Sequence, residues 1–452
     1  MLLPFRSNVR RSGQTYLRSR YSSGTLVQSE GLSLERDRDV AGVADCVQRA
    51  DSASFWDWNG GSSPFFWRWQ PAIQRDMRDG TPLFVKGPLS SFKRAQRMPS
   101  DPSIASRIMA KVNKVRLRLY IAVGLVLSLT AYFHVPKGDD DIRMVYDLTA
   151  SGLNDALWAP SFWMPTVQDV LDCATHTSWY GDVDAGEMFL NYWLDPAIRP
   201  YAGVDVSWDT SGGGSEGGKR WERWTRMAMG MLPSPWVTTR LFAWAMEILK
   251  GDRRDPSNPF HWSEVKLNLP GSSCYDPAMP RVFKWNELHK CIATDCKTFM
   301  DDLRSIGATR ELCSAGTHQI EVYMSYLGLQ DATRKKREGA RAPGEWTGTV
   351  QRSIPGLGVF ATVSQKKWDK AKRYLAEIKA HFVAANGSMP TLDLKELESK
   401  VGFFVHLAMA YPALFPFLKG FYLTMNSWRP MREENGWKMS RRAHDVFMRL
   451  SR

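Results

Sequence analysis

Thr294–Ile306 reads TDCKTFMDDLRSI, and its adjacent acids Asp301 and Asp302 decide how the chain is read. Phe299 and Met300 precede the pair; Leu303 and Ile306 follow. Short part-apolar runs around a polar pair predict a β-hairpin with both carboxylates at its tip. Such a tip projects two acids from one rigid point. Hard cations such as Mg²⁺ take oxygen ligands and keep waters and phosphate oxygens for their remaining positions. One Asp-Asp pair alone is more often a solvated turn, and Asp139–Asp141 in the same chain reads as a plain loop. A two-metal centre needs another carboxylate from a neighbouring strand. The candidate is GDVDAGEMF, Gly181–Phe189, in which Asp184 ends a short strand and Phe189 follows five residues later. The bland alternative is a polar strand end and a buried Phe.

With 452 residues the chain can bury a sizeable core, and its length suggests two or three domains. Apolar residues at 43%, charged residues at 24% and 19 Trp exclude a disordered chain. The formal charge of +13 favours polyanionic partners, nucleic acid first and an anionic membrane second. Four of the six cysteines, Cys274, Cys291, Cys296 and Cys313, are near-symmetrically spaced but lack the tight pairs of zinc modules. Reduced, incidental thiols are the expectation.

Residues 1–30 carry five Arg and no acid before Glu30, which suits a mitochondrial presequence and equally a basic nucleic-acid-binding arm. The location expected is intracellular, with the compartment open. Residues 1–106 read as a poorly ordered extension with an aromatic knot between Phe55 and Trp69. A basic helix is expected over Ile104–Leu119, then the uncharged run Leu119–Val135, long enough for a marginal membrane span. The Gly-rich stretch Asp209–Lys219 reads as a flexible insertion. Helices are expected over Val237–Lys250, Gln365–Phe382 and Leu394–Ala410. The middle is thus mixed α and β and the end helical.

From about residue 117 to 430 the sequence resembles the reverse transcriptases of retroviruses and LTR-type retrotransposons. Blocks occur in that family's order. Val135–Asn154, VPKGDDDIRMVYDLTASGLN, resembles its fingers hairpin and following strand. Asp184 with Phe189 resembles motif A, and Arg223–Pro235, RWTRMAMGMLPSP, resembles motif B around Gly230 with Ser234 behind it. Phe299-Met300-Asp301-Asp302 resembles motif C. Tyr326–Arg337 and Gly344–Gly348, GEWTG, are similar to the motif D lysine region and the motif E primer grip. Departures are Phe299 for the usual Tyr, Glu187 where Asp is common, and Ala228 where Pro is common.

The resemblance implies an α+β right-hand polymerase. Fingers and palm, built from antiparallel sheet and helices, would occupy 107–350, and a helical thumb or connection 351–452. It implies an RNA-directed DNA polymerase that adds deoxynucleotides to a primer 3′-hydroxyl with two Mg²⁺ or Mn²⁺ ions. Asp184, Asp301 and Asp302 would be its catalytic metal ligands. Lys137 and Arg143 would neutralise the triphosphate, Phe189 would stack under the sugar, and Gly230 would admit the template–primer pair. Ser234, Trp346, Gly348 and Lys367 would contact primer or template, and Lys335 or Lys336 would protonate the leaving group. The basic stripe Lys366, Lys367, Lys370, Lys372 and Arg373, opposite Trp368, Leu375 and Ile378, suits a grip on duplex phosphates and equally a solvated helix face. The partners implied are an RNA or DNA template with its primer and deoxynucleoside triphosphates. The resemblance reassigns Leu119–Val135 to a buried strand or helix leading into the fingers hairpin, so membrane association is not expected; oligomeric state is open. With no convincing ribonuclease H acids or integrase zinc signature, the chain is expected to be one piece of a larger element. Two alternatives stay open: a retroelement-derived protein that binds nucleic acid without activity, and a single-span mitochondrial inner-membrane subunit anchored at Leu119–Val135.

Overall fold

The computed structural model describes residues 70–137, 141–209, 220–327, 329, 337–384 and 393–426. The basic start, the aromatic knot, most of the Gly-rich stretch, Asp139 and Asp140, and Lys335 and Lys336 lie outside the described residues. The elements of the first half are α1 (Pro71–Asp79), β1 (Phe84–Val85), α2 (Pro102–Leu117), β2 (Ile121–Ala122), β3 (Ala131–Lys137) and β4 (Asp141–Asp147). Next come α3 (Leu153–Ala156), β5 (Leu157–Trp158), α4 (Val167–Leu171), β6 (Trp179–Asp184), β7 (Gly203–Asp205) and β8 (Trp221–Trp224). Then follow α5 (Ser234–Lys250), β9 (Glu264–Leu267), β10 (Val282–Asn286), β11 (Cys291–Ile292), β12 (Asp295–Phe299) and β13 (Asp302–Gly307). The described chain closes with α6 (Arg310–Tyr326), β14 (Arg337–Ala340), β15 (Val350–Ile354), β16 (Gly358–Thr362), α7 (Gln365–Ala384), α8 (Leu394–Ala408) and α9 (Phe415–Asn426). The result is a mixed helix-and-sheet protein whose strands pair antiparallel. Contacts gather it into two units that interleave along the sequence.

The first unit holds Pro82–Pro160 and Leu194–Pro233. Asp101 caps α2 by accepting from Ser103 N, with Pro102 at the first helical position, where its missing N–H leaves no bond unmade. Strands β3 and β4 form a hairpin paired from Ala131↔Asp147 to Lys137↔Asp141. Tyr146 of that hairpin meets Trp224 edge to face, with ring centroids 4.8 Å apart. Strands β2, β8 and β7 form a three-stranded sheet. Arg116 braces it from α2 by a bidentate pair with Glu222 (2.7 and 2.9 Å) and a 2.6 Å bond to Asp209.

The second unit holds residues 70–81, Ser161–Trp193 and the chain from Ser234 onward. Its centre is a sheet in the order β12-β13-β6-β14. Side chains alternate across a strand, and the pairs Leu303↔Val183, Ser305↔Gly181 and Gly307↔Trp179 share one face. Helix α6 packs on that face, because Gly181 and Gly307 leave room for it; a Cβ on Gly307 would stand 2.6 Å from Cys313 N. The opposite face carries Asp302↔Asp184, Arg304↔Asp182 and Ile306↔Tyr180. Ile306 and Tyr180 pack there with Trp346, Val170 and Ala174. The helical end has its own core of Ile378, Leu397, Val401, Phe404, Leu407, Leu418 and Phe421.

Two expectations change. Leu119–Val135 is neither a membrane span nor one buried element. Leu119 turns with φ 54°, Ile121–Ala122 pairs with β8, and the chain then loops, with Val123 and Leu125 exposed, until β3 begins at Ala131. The loop's amides are met by carbonyls of its neighbours, Leu127 N donating to Pro200 O at 2.7 Å and Leu129 N to Phe92 O at 2.6 Å, so the backbone between the two strands is satisfied without a ladder of its own. Among the described residues no helix is long and apolar enough to cross a membrane. The second change concerns α7. Opposite the stripe, Ile378 is buried but Trp368 is 41% exposed, its ring tilted against Tyr411, while Lys367 and Lys370 of the stripe turn onto protein. The described cysteines are free thiols, Cys274 exposed and Cys296 and Cys313 buried. Burial pushes the Cys313 thiol up to about 12.

Candidate metal centre

Strand β12 runs up to Phe299, Met300 turns the chain at φ 53°, and β13 starts at Asp302. Asp301 therefore occupies the tip and Asp302 the first rung, where it pairs with Phe299 on one side and Asp184 on the other. Ala185 N donates to Asp301 O at 2.7 Å and fastens the tip to the end of β6. Carboxylate oxygens of Asp184, Asp301 and Asp302 lie within 4.8 Å of one another. Asp184 is buried; Asp301 and Asp302 are half-buried. The donor set is oxygen only, which suits Mg²⁺ or Mn²⁺ and disfavours the softer metals that take thiolate or imidazole. Three like charges this close repel unless a cation lies among them. The residues fit a divalent ion.

A cavity of about 210 Å³ opens beside the acids, lined by Asp182, Asp184, Asp302, Glu345, Trp346 and Gly348. Its far wall is the turn Glu345–Gly348, in which Thr347 and Gly348 both have positive φ. Trp346 is buried, meets Phe299 edge to face at 6.2 Å and donates from Nε1 to Asp302 O at 3.1 Å. Lys367 donates to Gly348 O at 2.8 Å and stands 3.6 Å from Glu345. Its ammonium thus secures the turn. Nearby, burial and then Lys367 depress the His406 pKa.

The remaining expected site residues have definite places. Phe189 sits half-buried in a 3-10 turn, Met188–Asn191, that packs on α5. Ser234 is buried at the start of α5, its carbonyl accepting from Thr238 Oγ1 at 2.8 Å. In the first unit, Lys137 and Arg143 lie on one face of the β3–β4 hairpin, since Lys137 pairs with Asp141 and Val135 with Arg143. Arg143 is exposed, and Lys137 stands 3.9 Å from Asp141. Gly230 has φ 95°, and a Cβ there would meet Tyr146 O at 2.7 Å, so the chain's own backbone already requires glycine. Asn154 clasps that turn by donating to Gly230 O (2.9 Å) and accepting from Leu232 N (2.8 Å).

Sequence inspection missed Asp182, Arg304 and Gln351. Asp182 lies two residues before Asp184 and Arg304 two after Asp302, an opposite-charge pair at matched strand offsets. That offset was the available signal, but it means something only once β6 and β13 are known to pair in this register.

No protein-family model matches the chain, and no curated protein matches it. Among solved structures, the foamy viral protease-reverse transcriptase dRH in complex with double-stranded DNA aligns with a TM-score of 0.46 and 12% identity, over 85% of this chain and 58% of that one. The foamy viral protease-reverse transcriptase in complex with an RNA/DNA hybrid aligns with a TM-score of 0.46 and 15% identity, over 82% of this chain and 40% of that one. The chain thus spans about half the length of these structures. Likeness at that level bears no weight on function, which rests on the site's own geometry.

Proposed function

We propose that the chain is a template-directed nucleotidyltransferase of the reverse-transcriptase kind. One observation carries this: three carboxylates from two paired strands and their hairpin tip converge within 4.8 Å beside an open cavity. The sequence order of the motif-like blocks supports the same function. Phosphoryl transfer asks a protein for positioning and charge neutralisation more than covalent chemistry. Bound divalent ions would supply activation of the primer 3′-hydroxyl and neutralisation of the departing pyrophosphate. Asp184 and Asp301 would hold both ions, and Asp302 would complete the set. Lys137 and Arg143, on one face of their hairpin, have the charge to bind a triphosphate, Arg143 with a fork suited to two phosphate oxygens. Phe189 would support the sugar and exclude a 2′-hydroxyl. The Trp346–Gly348 wall faces the cavity where a primer end would lie. Deoxynucleotide preference, a retroelement origin and the template used belong to this proposal.

The test is primer extension on an RNA template with Mg²⁺ or Mn²⁺, comparing the wild type with Asp301→Ala. The expected outcome is deoxynucleotide incorporation that the substitution abolishes. Template binding without incorporation by the wild type would instead support a nucleic-acid-binding protein that lacks activity.

A further inference from the structure

Beneath the acids lies an ion pair that neither the metal centre nor substrate chemistry requires directly. Arg304 is fully buried on β13, one pleat repeat along the same sheet face from Asp302, and pairs in register with Asp182 on β6. Its Nε and Nη2 donate to the two carboxylate oxygens of Asp182 at 2.7 and 2.8 Å. The guanidinium has donors to spare, and it spends them on one segment: Nη2 reaches Gly344 O at 2.9 Å and Nη1 reaches Gln351 Oε1. These acceptors bracket the Glu345–Gly348 turn that walls the cavity. The guanidinium carbon lies 5.9 Å from the Trp346 ring centroid and 5.8 Å from that of Tyr180. Breaking a buried pair is costly, whereas a well-packed neutral replacement of both partners often is not, so such a pair is weak as a stabiliser and well suited to fixing geometry.

We propose that Arg304, oriented by Asp182, is a positioning residue: it hangs the Glu345–Gly348 turn at a fixed height over the metal centre and so sets the fit of the nucleic-acid end in the cavity. This rests on the polymerase function proposed above only for the identity of what the cavity holds. Asp182 fixes the plane of the guanidinium from the strand that bears Asp184, so turn and acids share one rigid reference. Lys367 holds the other end of the turn through Gly348 O.

The test uses the full chain with Asp182→Asn and Arg304→Gln combined, which removes both charges together and leaves neither buried alone. Hydrogen exchange followed by mass spectrometry should show amides of 344–351 exchanging at least about tenfold faster, with those of β6 and β13 little changed. Acceleration spread evenly through the sheet, or none at 344–351, overturns the proposal. In primer extension the KM for primer–template should rise roughly tenfold, more than kcat falls, with Mn²⁺ affinity preserved. Loss of Mn²⁺ binding, or a fall in kcat at unchanged KM, would show that the pair serves the acids instead of the turn and would overturn it. Arg304→Lys, which keeps the charge but not the fork, should recover only part of the KM. A wild type without extension activity would defeat the polymerase function, while the exchange result would still decide the positioning role.

Discussion

Asp184 and Asp302 are direct register partners on adjacent antiparallel strands, so their carboxylates share one sheet face and cannot move apart without unzipping β6 from β13. With Asp301 they form a like-charge cluster within 4.8 Å. Coulomb repulsion at such separations amounts to about 1–3 kcal/mol per pair at effective dielectrics between water and a protein surface. Asp301→Asn should therefore raise the stability of the metal-free protein by about 1 kcal/mol. Saturating Mn²⁺ should reverse the order, since under the proposed function the full acid set would hold the ion and the variant would hold it only weakly. Urea unfolding with and without Mn²⁺ measures both; a destabilised metal-free variant would count against a strained acid cluster.

Helix α6 approaches the sheet at Gly307, where an added Cβ would lie 2.6 Å from Cys313 N and 2.8 Å from its Cα. Backbone cannot yield as a side-chain end can. Gly307→Ala should cost about 1–3 kcal/mol through overpacking. Gly402 in α8 has nothing within 4 Å of the same hypothetical atom. Gly402→Ala should stabilise by up to about 1 kcal/mol through helix propensity. Chemical denaturation of the two variants side by side checks the contrast.

Asp295 accepts from Lys250 (2.7 Å), Lys297 (3.0 Å) and Cys296 N (2.8 Å), with Lys284 at 3.7 Å. Burial pushes its carboxyl up, but the three ammoniums outweigh that and hold it well below the ordinary carboxylate range. A depressed folded-state pKa contributes stability that is fully present above the unfolded value, near 3.8, and is lost progressively as the pH falls from there to the depressed value. Asp295→Asn should thus cost about 3–5 kcal/mol at neutral pH by leaving lysines facing a neutral amide. The gap between wild type and variant should stay constant down to about pH 5 and narrow below about pH 4. Thermal unfolding across that range reads it.

On α7, Lys366, Lys372 and Arg373 remain exposed, whereas Lys370 lies over the Tyr374 and Phe403 rings and Lys367 bonds Gly348. If the exposed cations meet phosphates, reversing one to Glu should lower the slope of log affinity against log salt for a duplex by about 1. Lys367→Met should leave that slope nearly unchanged while weakening the turn. Fluorescence anisotropy at several salt concentrations separates these outcomes, and a flat response for Lys372→Glu and Arg373→Glu would remove the phosphate contact.

What the sequence made legible was local. The hairpin around Asp301 and Asp302 follows from short part-apolar runs flanking a polar pair, and α5, α7 and α8 were expected as helices over Val237–Lys250, Gln365–Phe382 and Leu394–Ala410. The strand end at Asp184 was also readable. Illegible were features that depend on which strands pair: the Asp182–Arg304 bond, the Gln351 contact and the exposure of Trp368 against Tyr411. Hydrophobicity alone misled at Leu119–Val135, because an apolar run can be a loop when neighbouring carbonyls receive its amides. Interleaving of the two units is likewise invisible to a division made in chain order.

Period-two alternation gives the paired strands a further consequence. A slip of one residue between β6 and β13 would turn Arg304 toward the face where helix α6 already packs against Gly181 and Gly307, and would set Asp182 opposite Leu303 or Ser305 in place of its guanidinium partner. The mispaired ladder would thus be penalised at the same place where the correct one is rewarded. Register and carboxylate convergence are therefore tied together: the ladder that closes the Asp182–Arg304 bond is the one that sets Asp184 opposite Asp302.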